Sequence, residues 1–439
     1  MVFPLVIRAP VPSDPRTVTT IREGSEVPPS SLGLDPAAVA SVWEAVERLY
    51  ASGIHPAIQL CVRHRGAVLL DRAIGHACGA GPADPPGTPT RPCTPDTPFM
   101  LFSAAKSVTA MLVHLLDERN LIRLDDPVCE YIPEFGTHGK QWITIRHLLT
   151  HRAGIPNLPP GAMAPETVVD AQRVLELVCE ARPVWRPGRE LAYHAVSGGF
   201  VLGEVIRRVS GRDPREVLDD VLRRPLGCRF MTYGLAPEDL PLLARSYMTG
   251  PRQPALVSWL IGRALGITPE EAVDASNDPP FHAALIPSGN LVATAEEMSR
   301  FYQLLLEGGE LGGVRVFDPR TVRRATSEQS YLEMDFTLVI PIRHAMGFML
   351  GAEWFSLYGP YTPRAFGHIG FTNIVCWADP ERQVAAALMT SGKPIIYPEV
   401  YWIWEMMRRI GAACPREAGR MLPGAGARAA RTPGAAGEG

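Results

Sequence analysis

Ser103 and Lys106 stand three residues apart in the stretch Leu101-Phe102-Ser103-Ala104-Ala105-Lys106-Ser107-Val108-Thr109. A serine hydroxyl becomes a nucleophile only beside a base, and a lysine can be that base only when its amine is neutral. Burial supplies the neutrality, because desolvation disfavours the ammonium and lowers its pKa. The flank suits this: Ala104 and Ala105 are small, and Phe102, Val108 and Met111 are apolar. Apolar residues recur at helical spacing through Met111, Leu112, Leu115 and Leu116, which predicts a helix with Ser103 in its first turn and Lys106 one turn on, on the same face. The free N–H groups and positive dipole end of such a helix then point at any oxyanion formed on Ser103. Lys106, Lys140 and Lys393 are the only lysines in the chain, and a solvated lysine rarely sits in so apolar a run.

Holding that pair in place requires elements on either side of it. Asp35 to Ala51 carries Val39, Val42, Trp43, Val46, Leu49 and Tyr50 at helical spacing, an amphipathic helix. Ala57 to His64 and Gly66 to Asp71 are strand-like runs joined through Arg65-Gly66, the pattern of an antiparallel hairpin. Residues 79–98 are dense in Gly, Pro, Thr and Asp and read as a crossing loop. Helical patterns then dominate from Asp117 to Leu306, broken at Asp125-Asp126-Pro127 and Arg186-Pro187-Gly188. From Val314 strands return, at Ala345 to Leu350, Thr372 to Trp377 and Gln383 to Met389, with a turn at Ala378 to Arg382 and a last helix over Pro398 to Arg409. The expected plan is an extended lead-in (1–33), an α/β domain in two segments (34–98 and 285–414), a mostly helical domain between them (99–284) and a disordered Gly/Ala/Arg/Pro-rich tail (415–439). Ser103, where the chain crosses from sheet to helices, is then expected in the cleft.

Composition narrows the function. With 439 residues, 46% hydrophobic and 20% charged, this is an ordinary globular chain long enough for two domains. A net charge of -3 with dispersed arginines gives no reason to expect nucleic acid or an anionic membrane as partner. Met1 to Pro15 lacks the basic and apolar regions of a secretory signal, and no apolar run is long enough to span a bilayer, so the expected compartment is the cytoplasm. The eight cysteines show no Cys-x-x-Cys spacing and read as reduced, buried small residues; no metal or organic cofactor is expected.

Several blocks in order carry a resemblance. After Ser103-Ala104-Ala105-Lys106 come Leu121-Ile122-Arg123-Leu124-Asp125-Asp126-Pro127, then Ile145-Arg146-His147-Leu148-Leu149-Thr150-His151-Arg152-Ala153-Gly154, Trp185-Arg186-Pro187-Gly188, Tyr193-His194-Ala195, Pro287-Ser288-Gly289-Asn290 and Gly367-His368-Ile369-Gly370-Phe371. The sequence resembles the serine β-lactamase and penicillin-binding-protein superfamily, in its class C-like branch of family VIII carboxylesterases and acyltransferases. That resemblance implies an antiparallel sheet flanked by helices, an acyl-enzyme on Ser103, proton transfer shared by Lys106 and Tyr193, and an oxyanion hole from the Ser103 and Phe371 N–H groups, with Gly370 beside it and His368 at the substrate. Which of Lys106 and Tyr193 is the base stays open.

Two departures bear on the substrate. Ala195 stands where the family has asparagine, and its side chain can neither hold a substrate amide nor position the lysine. His368 stands where β-lactamases have the lysine of Lys-Thr-Gly, which removes a fixed cation for a substrate carboxylate. Both point away from peptides and β-lactams and toward a small-molecule acyl ester or thioester. The expected function is ester hydrolysis; the alternatives are acyl transfer from the same intermediate, and a non-catalytic binding protein that keeps the fold. The apolar stretch Ala255 to Gly266 reads either as a lid touching the acyl chain through Trp259 and Ile261 or as a core helix. The chain lacks a Gly-x-Ser-x-Gly elbow, Gly392-Lys393-Pro394 is not a phosphate loop, and Leu148 replaces the glutamate a zinc protease needs between His147 and His151, which read as structural. Oligomeric state is not legible.

Overall fold

The computed structural model describes residues 6–159, 161–417 and 421–423; most of the tail expected to be disordered lies outside the described residues. Fifteen elements matter for the site. They are β1 (Thr19–Ile21), α1 (Pro36–Ala51), β2 (Ala57–His64), β3 (Ala67–Cys78), α2 (Ala105–Glu118), α3 (Ser197–Ser210), α4 (Ala255–Leu265), α5 (Ala295–Leu306), β4 (Ser330–Asp335), β5 (Ile340–His344), β6 (Met349–Leu350), β7 (Phe366–Gly370), β8 (Ile374–Asp379), β9 (Val384–Thr390) and α6 (Val400–Ala413).

The hairpin β2–β3 turns on Arg65 and Gly66, both left-handed at φ 52° and 85°, which matches the twist of two-residue hairpins. Asp35 caps α1 by accepting from the Ala37 N–H, worth about 1 kcal/mol. The sheet has ten strands in the order β4-β5-β6-β7-β8-β9-β2-β3-β1, with Arg91–Pro92 paired to β3, and every pairing is antiparallel. Its two halves meet where β9 pairs with β2, Ala387 opposite Cys61, so strands from both ends of the chain share one sheet. β8 and β9 are buried along their whole length, which requires cover on both faces. α5 lies across β8, β9 and β2, while α1 and α6 pack on each other.

The lead-in supplies β1, the edge strand beside β3. The strand expected over Ala345 to Leu350 is reduced to β6, because Gly347 at φ 94° turns the chain and Ala345 bonds Phe348. The hairpin β4–β5 was not expected; Tyr331, Leu332, Met334 and Ile340 on it are exposed apolar residues rather than an alternating pattern. Short strands at Phe99–Met100, Thr232–Tyr233 and Leu291–Ala293 form a small separate sheet within the helical middle of the chain.

Candidate active site

Ser103 sits in a 3-10 turn, Phe102–Ala104, that runs into α2 at Ala105. The Ser103 turn is pressed onto β7: a Cβ at Gly370 would come within 2.2 Å of the Leu101 carbonyl oxygen, so only glycine lets strand and turn approach this closely. Phe102 is left-handed at φ 48°, and its ring lies 5.5 Å from that of Phe371, the residue after β7.

Lys106 is buried on α2 and its Nζ has three neighbours. Ser103 Oγ is at 3.1 Å, the Ala195 carbonyl at 2.7 Å and the Ser288 carbonyl at 3.1 Å. Desolvation pulls the amine down to about 7, and no carboxylate offsets it. The Ala195 side chain contributes nothing, as expected, yet its backbone carbonyl positions the lysine, so loss of the family's asparagine leaves Lys106 anchored. Sequence reasoning missed this role and that of Ser288, because a carbonyl acceptor leaves no signature in residue type.

Tyr193 places its ring 4.9 Å from Lys106 Nζ. Burial pushes its phenol well up, offset only in part by the Ser103 hydroxyl. Its backbone N–H donates to Asp335 Oδ1 at 3.1 Å; the same oxygen accepts from the Thr337 and Leu338 N–H groups at 2.8 and 2.9 Å. Burial raises the Asp335 pKa, but the neighbouring His344 side chain and then these backbone N–H groups outweigh it and hold the carboxyl below its usual range. Asp335, at the end of β4, is thus a brace for Tyr193 that local pattern could not reveal.

His368 is buried behind Tyr193, ring to ring at 6.2 Å, and does not line the cavity at Ser103. Its Nδ1 meets the Ile369 carbonyl at 2.8 Å, which leaves Nε2 a lone pair without a donor. Desolvation, then Lys106, takes its pKa to about 3, so the ring is neutral. His151 stands 4.7 Å from the Tyr193 ring, and its Nδ1 accepts from the His194 N–H at 3.2 Å. Desolvation keeps His151 neutral as well, reinforced by His344 and His194. His147 serves locally, accepting from the Thr144 N–H at the start of its helix.

The cavity beside Ser103 measures about 60 Å³ and is lined by Phe102, Met163, Val196, Leu265, Ile267, Phe281, Ile286 and Phe371 among others, with no charged side chain. Leu265, the last residue of α4, lines this cavity; Trp259, which is 57% exposed, and Ile261, the residues through which a lid would touch the acyl chain, do not.

The beta-lactamase family model matches residues 43–400. The chain belongs to the beta-lactamase family. Esterase/beta-lactamase LipL of Mycobacterium tuberculosis is 30% identical over 309 residues, covering 68% of this chain and 70% of that protein. Among solved structures, a penicillin-binding-protein homolog from Caulobacter crescentus superposes with TM-score 0.73 at 25% identity, covering 87% of this chain and 98% of that one. A family VIII carboxylesterase does so with TM-score 0.72 at 25% identity, covering 85% and 97%. This beta-lactamase family member is a hydrolase, with the antiparallel sheet flanked by helices that its sequence blocks implied. Among the described residues no helix is long and apolar enough to cross a membrane.

Proposed function

We propose that the chain cleaves carboxylic esters through an acyl-enzyme on Ser103, with Lys106 as the base. The observation that carries this is the set of three neighbours around Lys106 Nζ. A neutral amine has two N–H donors and one lone pair. The Ala195 and Ser288 carbonyls take the donors, and the lone pair is left facing the Ser103 hydroxyl.

As Ser103 Oγ bonds to the ester carbon, its proton passes to Lys106 and the carbonyl π electrons move onto oxygen. The Ser103 and Phe371 N–H groups are the donors assigned to that oxyanion. Collapse breaks the bond to the alkoxy oxygen, which leaves as the alcohol once protonated. Tyr193, kept as the neutral phenol by burial, hands on that proton and is refilled from Lys106. Water repeats the sequence on the acyl-enzyme. An uncharged cavity lining favours an apolar acyl group, and the neutral His368 supplies no cation for a substrate carboxylate. The eight cysteines are all unpaired, in keeping with a reducing, cytoplasmic setting.

Intact-mass analysis after brief exposure to a fluorophosphonate and to p-nitrophenyl esters, beside Ser103→Ala, tests the reading. An adduct that disappears in the variant supports it. Folded wild-type protein that forms no adduct overturns it in favour of a non-catalytic role.

A further inference from the structure

α4 is apolar, yet none of its residues is fully buried. Leu256 and Trp259 are 65% and 57% exposed, and with Arg263 they recur at i, i+3 and i+7, one outward stripe. A second exposed stripe lies at Ile396 and at the start of α6, where Val400, Tyr401 and Trp404 face solvent. Gln253 fastens the two together: its side-chain amide donates to the Ile396 carbonyl at 3.2 Å and accepts from the Ile396 N–H at 3.2 Å. An aromatic-rich apolar surface of this kind marks an interaction site.

The charge around it is local. Residues 240–269 contain no Asp or Glu, and Arg252 and Arg263 are exposed without an ion pair among the described residues. Glu399, beside the second stripe, is neutralised by Arg8. The whole-chain charge that gave no reason to expect an anionic membrane averages over this face. We propose that this face docks on an anionic lipid–water interface, with Trp259, Tyr401 and Trp404 at headgroup depth and Arg252 and Arg263 on lipid phosphates. A two-fold contact would place the same unpaired Arg252 and Arg263 on both partners while residues 240–269 offer no Asp or Glu to meet them, which disfavours a second copy as occupant. The far end of α4 supplies Leu265 to the Ser103 cavity, so a docked molecule holds that cavity close to the lipid.

Binding is read without turnover, so it stands or falls separately from the esterase reading. The test is flotation of the full chain with vesicles of phosphatidylglycerol and phosphatidylcholine in equal parts, and with phosphatidylcholine alone, at low salt. The wild type is expected to float with the anionic vesicles about fivefold more than with the neutral ones. Leu256→Ser/Trp259→Ser and Arg252→Glu/Arg263→Glu are each expected to lose most of that binding while keeping the thermal midpoint and Ser103 labelling by fluorophosphonate. Wild-type protein that stays with the soluble fraction overturns the proposal, as do variants that float equally well. A concentration-dependent dimer that Leu256→Ser/Trp259→Ser dissolves, with no vesicle binding, overturns it in favour of a second copy.

Discussion

The Lys393 amine stands 5.0 Å from the centre of the Phe102 ring, and Phe102 is the residue before Ser103. Lys393 is itself buried, bonded to the Thr390 carbonyl at 2.7 Å and brought by desolvation to about 7. The Phe102 ring thus contacts both Lys393 and Phe371, while its backbone is held in a left-handed conformation that costs about 1–3 kcal/mol. That clamp fixes the direction in which the chain enters the Ser103 turn. Lys393→Met is expected to lower kcat about tenfold without lowering the thermal midpoint, since an apolar replacement removes a buried amine. Unchanged kcat in the variant would mean that the contact positions nothing.

The proposed role of Lys106 as base sets a pH profile. The amine must be neutral to accept the Ser103 proton, so kcat/KM is expected to rise with pH and reach half its plateau near pH 7. Lys106→Arg keeps the charge at every accessible pH and is expected to lose activity by about a thousandfold or more. A flat profile from pH 5.5 to 8.5 with an ester substrate would exclude the lysine as base.

The same two lysines couple stability to pH. Each binds a proton more weakly folded than unfolded, about 7 against an ordinary 10.5, so the unfolded chain carries more protons between those values. Their contribution is therefore most unfavourable below pH 7 and is relieved as pH rises toward 10.5. Denaturant midpoints at pH 7 and pH 9 are expected to diverge more in the wild type than in Lys106→Met/Lys393→Met.

Tyr193 as a proton donor predicts dependence on the leaving group. A p-nitrophenolate leaves without protonation, whereas an alkoxide does not. Tyr193→Phe is expected to lose about a hundredfold or more on ethyl esters and much less on p-nitrophenyl esters. Equal losses on both would assign the phenol to structure.

Acyl-chain preference should follow the cavity wall. Leu265→Trp is expected to shift preference to shorter acyl groups, measured as kcat/KM across a p-nitrophenyl ester series, while Trp259→Ala and Ile261→Ala leave the series unchanged. A shift in the latter two instead would mean that the outer part of α4 folds inward over the substrate.

Local geometry was legible in sequence. Ser103 and Lys106 lie one turn apart, and spacing alone brings hydroxyl and amine together. The hairpin β2–β3 announced itself through Arg65-Gly66. What spacing could not carry was contact across the fold: the Ala195 and Ser288 carbonyls on Lys106, and Asp335 under Tyr193, arrive from distant elements. His368 shows the limit most directly. Its motif was recognised from sequence, but whether the ring meets the substrate or hides behind Tyr193 depends on which face of β7 is covered.

The seam between β9 and β2 bears on biogenesis. β2 leaves the ribosome with one edge unpaired, and its partner follows only about 320 residues later. At ordinary synthesis rates the edge waits roughly 15–65 s, long against the folding time of local helices and hairpins. During that interval the helical middle of the chain, with Ser103 and Lys106, is already made, while β7, which seats the Ser103 turn, is not. The Ser103–Lys106 pair proposed as catalytic can thus be complete in sequence yet unseated until the last strands close the sheet, and an exposed strand edge is the hazard the nascent chain carries in the meantime.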